Sequence, residues 1–166
     1  MIKVGLLSDT HGFLDASIYK YFKECDEIWH AGDVGTIEVF DELSKFKTIR
    51  AVYGNIDGHV LRTVMPEHLY FEVEGIKIYM THIGGYPGRY NHDVKSFLQK
   101  HPTDLFICGH SHILKVIYDQ TFKLLHINPG AAGNHGFHQV KTLIRFEISD
   151  GKPRNLEVIE IGKRAG

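Results

Sequence analysis

Five short apolar runs in this chain end on the same punctuation, a glycine close to an aspartate, asparagine or histidine. Ile2 to Ser8 runs into Asp9 and His11, Glu27 to His30 into Gly32-Asp33, and Thr48 to Tyr53 into Gly54-Asn55. Further on, Leu69 to Thr81 stops at His82, and Asp104 to Cys108 stops at Gly109-His110, with His112 just beyond. Short runs that are apolar throughout are what strands buried on both faces look like. Between the first three lie segments with helical spacing: 15–25 offers Ile18, Tyr21, Phe22 and Cys25, and 36–46 offers Ile37, Phe40, Leu43 and Ser44. This βαβαβ order predicts a mostly parallel sheet with right-handed crossovers. In open α/β sheets, ligands bind outside the carboxyl ends of the strands. The polar residues that follow each run are therefore expected to share one crevice, an arrangement for which a hydrophobic core has no use.

The remainder fills out the architecture. Leu69 to Thr81 reads as two strands turning at Glu74-Gly75, and residues 84–91 (GGYPGRYN) as a loop. A helix is expected over 92–100 with Val94, Phe97 and Leu98 inward, stopping before Pro102. The last third reads as strands at 113–118, 122–127, 139–148 and 155–161, with a turn at Asp150-Gly151 and a frayed end at 162–166. With 166 residues, 43% of them hydrophobic and 23% charged, the chain can bury a core without disulfide or metal staples. The expected fold is α/β, one domain over 1–166 built as a two-sheet α/β sandwich.

Charge and cysteine content narrow the partners. Nineteen Lys and Arg against twenty Asp and Glu give a net charge of −1, so nothing favours nucleic acid or an anionic membrane surface. Cys25 and Cys108 show no CxxC or zinc-knuckle spacing, which suits a reduced compartment. The apolar run at the N-terminus is too short for a signal-peptide core, and no stretch approaches the ~18 apolar residues of a membrane span. A cytoplasmic protein is expected.

The chemistry of the crevice follows from its residue types. Asp9, Asp33 and Asn55 with His11, His82, His110 and His112 form a mixed oxygen and nitrogen set without thiolate. Such a set suits Mn²⁺, Fe, Zn²⁺, Ni²⁺ or Co²⁺ better than a soft metal or calcium. Seven ligands exceed one tetrahedral ion but fit two ions sharing a carboxylate. A pair of ions roughly 3.5–4 Å apart clamps a phosphoryl group and activates water for in-line displacement.

Each element alone has a plainer reading. Asp9 can cap a helix beside a surface histidine, Gly32-Asp33 and Gly54-Asn55 can be ordinary turns, and His82 can end a strand on a backbone bond. His110 and His112 share a strand face by spacing alone. All these readings must hold at once to remove the site, and the joint metal reading is simpler. For the other histidines the plainer reading wins: His59, His68, His92 and His101 read as solvated and His126 as packed. His30 is either packed or supports the site. Arg89 and Tyr90 could meet a substrate phosphate, since Arg binds phosphate bidentately, or remain in solvent.

Ser8-Asp9-Thr10-His11, Gly32-Asp33, Gly54-Asn55-Ile56-Asp57, Thr81-His82 and Gly109-His110-Ser111-His112 resemble, in order, the five motifs of calcineurin-like metallophosphoesterases. Order, spacing and chain length look most like the YfcE-type phosphodiesterase subfamily, and the resemblance runs to Asn128-Pro129-Gly130. It implies two divalent ions, with Mn²⁺ first among those above. Asp9, His11 and His112 would hold one, Asn55, His82 and His110 the other, and Asp33 would bridge them. It implies attack by a metal-bridged hydroxide on a small phosphodiester, with Asn55 also touching a phosphoryl oxygen and Asp57 orienting a ligand or its loop. Many relatives carry a histidine where this chain has Ile56, which leaves the general acid unassigned; His135 and His138 are the residues that could approach. The same resemblance includes a retromer subunit regarded mainly as a protein-interaction module, so a non-catalytic scaffold is the alternative, with phosphomonoesterase activity as the close variant. Exposed β-edges in the last third make a symmetric homodimer plausible.

Overall fold

The central strands coincide with the apolar runs, and their two faces feed separate cores. A computed structural model of the chain describes residues 1–166. Its strands are β1 (Ile2–Leu7), β2 (Glu27–His30), β3 (Thr48–Ala51), β4 (His68–Val73), β5 (Ile76–Thr81), β6 (Leu105–Ile107), β7 (Lys115–Asp119), β8 (Leu124–Asn128), β9 (Val140–Ser149) and β10 (Lys152–Lys163). The helices are α1 (Ser17–Tyr21), α2 (Ile37–Phe46), α3 (His59–Val64) and α4 (His92–Lys100). One sheet runs β10-β9-β1-β2-β3 and the other β4-β5-β6-β8-β7.

Strand alternation sorts the side chains into layers. Val4, Leu6, Trp29, Ile144 and Phe146 point from the first sheet toward Ile78, Met80, Leu105, Ile107 and Ile127 of the second, forming the core between them. Leu7, Ile28 and Leu143 face outward, where α1, α2 and α3 cover them with Ile18, Phe22, Val39, Leu43 and Leu61. On the far side α4 packs Val94 and Leu98 on Tyr79, Phe106 and Leu124. The result is the expected two-sheet α/β sandwich, helices outside.

Register aligns the strand ends. Leu7 pairs with His30 and His30 with Ala51 in parallel, so the loops after β1, β2 and β3 leave the first sheet at one level. In the second sheet Met80 pairs with Ile107 and Ile107 with Ile127, aligning the exits of β5, β6 and β8 in the same way.

Several local features differ from expectation. The parallel pairs number two in each sheet, and the first sheet gains the antiparallel β9 and β10. The helix expected over 15–25 contracts to Ser17–Tyr21, though Ile18, Phe22 and Cys25 stay buried. In α2, Val39 occupies the inner face and Ser44 is exposed, its Oγ donating to the Asp41 carbonyl. Helix α3, which no periodicity predicts, is a single short stretch that buries only Leu61. The end at 162–166 is pinned: Arg164 Nε donates to the His138 carbonyl at 2.7 Å, and Ala165 N to Asn134 Oδ1 at 2.9 Å. Cys25 and Cys108 are unpaired, and no helix is long and apolar enough to cross a membrane.

The sheet–helix contact is tight at Gly5, where a Cβ would stand 2.6 Å from the buried Phe22 ring. Gly5→Ala is expected to lower stability by about 1–3 kcal/mol, the usual range for overpacking, in urea unfolding. An unchanged midpoint would mean that Phe22 repacks freely.

Candidate metal centre

The aligned strand exits bring loops of both sheets face to face, and backbone hydrogen bonds join neighbouring loops within each sheet. Asp9 N donates to the Gly32 carbonyl (2.9 Å), His11 N to Asp33 (3.0 Å) and Gly109 N to His82 (2.9 Å). Ala132 N and Gly133 N donate back to Ser8 and Asp9, so the segment after Asn128-Pro129-Gly130 closes one side. Asn128 itself holds the fifth motif, its amide donating to the Gly109 carbonyl and to Ser111 Oγ, both at 3.0 Å.

Within this frame Asp9, His11 and His112 form one cluster of ligand atoms and Asp33, His82 and His110 a second, each with its atoms within 4.8 Å of one another. Asp33 Oδ2 stands 3.1 Å from His82 Nε2 and 3.4 Å from His11 Nε2, so it reaches both clusters. Asp9 Oδ1 is 3.1 Å from His112 Nε2. Asn55 Oδ1 lies 3.0 Å from His110 Nδ1, beside the second cluster. All seven residues that follow the apolar runs therefore meet in one place.

The outer atoms of these side chains are tied down and the inner ones left free. Asp9 Oδ2 accepts from Ser8 Oγ at 2.6 Å and from His110 N at 3.1 Å. Asp33 Oδ1 accepts from Ile56 N, and His82 Nδ1 donates to the Ala31 carbonyl at 2.7 Å, which turns its Nε2 lone pair inward. Asp9 Oδ1, His11 Nε2 and His82 Nε2 are buried with no hydrogen-bond partner. Native structures rarely leave such groups unsatisfied. An unpartnered carboxylate oxygen and two imidazole nitrogens converging on one space are the donor set that divalent first-row ions take.

Electrostatics agree. Burial opposes ionisation of Asp9, but His11, His112, His82 and Ser8 outweigh it and hold the carboxyl well below the usual carboxylate range. Asp33 is likewise lowered against its burial, chiefly by His82 and the Ile56 amide. His82 is raised despite burial because Asp33 and Asp9 face it, while burial and His82 push His110 down. The centre holds two buried anionic carboxylates.

The backbone is bent to achieve this. Asp9, His11, Asp33, His110 and His112 all adopt left-handed φ, between 46° and 70°. Such conformations cost an L-residue about 1 kcal/mol or more and gather at functional sites. Gly32 is needed for close approach, since a Cβ there would stand 2.6 Å from His82 Nδ1.

Supporting residues are only partly visible in the sequence. His30 is fully buried; its Nδ1 accepts from Gly32 N, so Nε2–H donates to Thr10 Oγ1, which donates to the Val34 carbonyl. Burial pushes this imidazole down to about 4, keeping it neutral. Asp57 uses both oxygens on backbone amides, accepting from Val34 N, Gly54 N and Gly35 N. It joins the second and third motif loops and positions Asp33 and Asn55 from behind. The side chain of Ile56 is exposed. His135 stacks on His11 with ring centroids 4.7 Å apart, and His138 faces His112 edge-on at 5.2 Å. Ser8 and Thr10 enter the sequence reading only as parts of the first motif, and Arg164 carries no signal; the Asn-Pro-Gly turn is the one clue to Asn128.

The sequence profile of the calcineurin-like phosphoesterase superfamily domain matches residues 2–151. The chain belongs to that superfamily. A probable metallophosphoesterase of Mycoplasma pneumoniae is 34% identical over 141 residues, 79% of each chain. Vps29 of Chaetomium thermophilum superposes with a TM-score of 0.75 at 15% identity, over 98% of this chain and 100% of that one. Yfce, a phosphoesterase from E. coli, superposes at 0.62 and 18% identity, over 94% and 98%. These two likenesses speak for the fold. The superfamily is one of phosphoesterases, and the two clusters are the residues that could hold its metal.

Asp57→Ala is expected to free three backbone amides, two of them buried, costing about 2–5 kcal/mol in urea unfolding. Metal affinity, read by chelator competition, should fall about 10–100-fold, as for other residues that hold ligands in place. Unchanged metal affinity would show that Asp57 supports only the fold.

Proposed function

We propose that the protein is a dinuclear metal-dependent phosphodiesterase acting on small phosphodiesters, with Mn²⁺ as the favoured metal. The observation that carries this reading is Asp33 Oδ2, within 3.4 Å of histidines from both ligand clusters, amid buried atoms that lack partners. In this reading Asp9, His11 and His112 hold one ion, His82, His110 and Asn55 the other, and Asp33 joins them. Two divalent ions supply, when bound, Lewis acidity toward phosphoryl oxygens and activation of the attacking water.

The chain's own residues do the rest. Asn55 is exposed, and with its Oδ1 beside His110 its amide N–H₂ is free to hold a phosphoryl oxygen. The outer bonds of Asp9, Asp33 and His82 keep their inner atoms aimed without rearrangement, the form of preorganisation that favours charge development. Protonation of the leaving group falls to His135, which is exposed at the mouth; His138 already uses Nε2 on the Gly133 carbonyl. Cytoplasmic location and a homodimer belong to the same reading. The second sheet ends in β7 as an open edge with Val116, Ile117 and Tyr118 exposed.

One observation favours the scaffold alternative. Ile56, Ile83, Ile113 and Phe137 are exposed around the centre, Phe137 fully. Clustered apolar side chains on a surface suit a protein partner as well as an organic ester. The complete ligand set favours catalysis.

Metal-stripped protein given Mn²⁺, Ni²⁺, Zn²⁺ or Mg²⁺ separately should hydrolyse bis(4-nitrophenyl) phosphate faster than 4-nitrophenyl phosphate. Asp33→Ala should reduce that rate to background. Preference for the monoester would make it a phosphomonoesterase, and no turnover with two ions bound would favour the scaffold.

A further inference from the structure

Three cavities open around Asn55 and His110, and their charge differs. The one of about 390 Å³ beside His82 sets Arg62 against Glu67 and Asp93. The one of about 410 Å³ beneath His135 and His138 includes Asp33. The third, about 570 Å³, lies on the other side of His110 and has no carboxylate in its lining, yet contains Arg89 and Lys115. Neither cation has an ion pair or a side-chain hydrogen bond; Lys115 Nζ rests 4.6 Å over the Tyr86 ring.

A second feature of the same cavity points to a polar ligand. His126 lines it, is 1% exposed, and leaves Nε2 without a partner. Its Nδ1 lies 3.5 Å from the Tyr90 hydroxyl, which anchors the ring from behind. Burial, with Lys115 adding to it, pushes the imidazole down to about 4, so it presents a neutral polar edge. The wall thus offers two cations without a carboxylate partner, one of them resting on the Tyr86 ring, and a buried histidine nitrogen that lacks a partner. The volume is that of an organic ligand site. Arg89 recognises a phosphate or carboxylate through paired N–H donors, and Lys115 acts as a point charge.

We infer that this cavity receives one alcohol arm of the phosphodiester and that the arm carries a second phosphate, held between Arg89 and Lys115 with His126 Nε2 near it. This inference rests on the phosphodiesterase reading for the bond cleaved, and adds the class of substrate: a nucleotide-sized ester with a further anionic group. The ester phosphate sits at the His110 side and the distal phosphate at the Arg89 side.

Two probes test it on the full chain. Loaded with Mn²⁺, the protein is given thymidine 5′-(4-nitrophenyl phosphate) and the same compound bearing a 3′-phosphate. Stripped of metal, it is titrated calorimetrically with thymidine 5′-phosphate and thymidine 3′,5′-bisphosphate. The second phosphate should lower KM, and Kd in the metal-free titration, by about tenfold or more, the effect of one good charge-assisted contact. kcat should change little. Arg89→Ala and Lys115→Met, both outside the packed cores, should remove the advantage, and raised salt should shrink it. Equal affinities for the two members of each pair, or an advantage surviving in both variants, would overturn the inference. Discrimination in the metal-free titration without any turnover would keep the anion site and remove the phosphodiesterase reading. Turnover without discrimination would do the reverse.

Discussion

Two ionised carboxylates, Asp9 and Asp33, are buried at the junction of two sheets, and the rest of the centre answers to them. Burying a charge is costly unless it is paired and hydrogen-bonded. Here the outer oxygens receive Ser8 Oγ, His110 N and Ile56 N, while the inner ones face His11, His82 and His112. Imidazoles held by the backbone, such as His82 on the Ala31 carbonyl, leave nitrogen lone pairs beside anionic oxygen. That combination favours divalent cations, and it explains why Asp9 Oδ1, His11 Nε2 and His82 Nε2 stay unpartnered.

Such a site needs a rigid platform. Matching the ends of β1, β2 and β3 in one sheet with those of β5, β6 and β8 in the other puts the loops within hydrogen-bond reach. The core between the sheets, with Trp29, Phe146 and Met80 fully or almost fully buried, sets the spacing. Five residues of the two clusters, held in left-handed conformations, then store strain that this packing and the cross-loop hydrogen bonds over-determine.

The parts legible in the sequence are those with local chemistry. Strand-ending Asp, Asn and His residues mark the seven side chains that converge in the structure, and full apolar runs reveal the buried strands. Residues whose role depends on distant partners are less visible. Asp57 binds amides more than twenty positions away, and His30 meets Thr10 only because β1 and β2 pair in parallel. Arg164 sits in a polar tail whose composition suggests fraying, and its hold on His138 arises only because β9 and β10 run antiparallel. Helix α3 escapes sequence reasoning because six residues burying one leucine carry no periodic signal. Val39 takes the place expected for Ser44 because Ile37, Phe40 and Leu43 leave room for either neighbour on the inner face, and packing decides between them.

Whether two ions share Asp33 is tested most directly by anomalous diffraction from crystals grown with Mn²⁺. Two peaks roughly 3.5–4 Å apart are predicted, with the Asp33 carboxylate between them and His11 and His82 on opposite sides. A single peak, or two peaks without Asp33 between them, would contradict the shared-carboxylate centre.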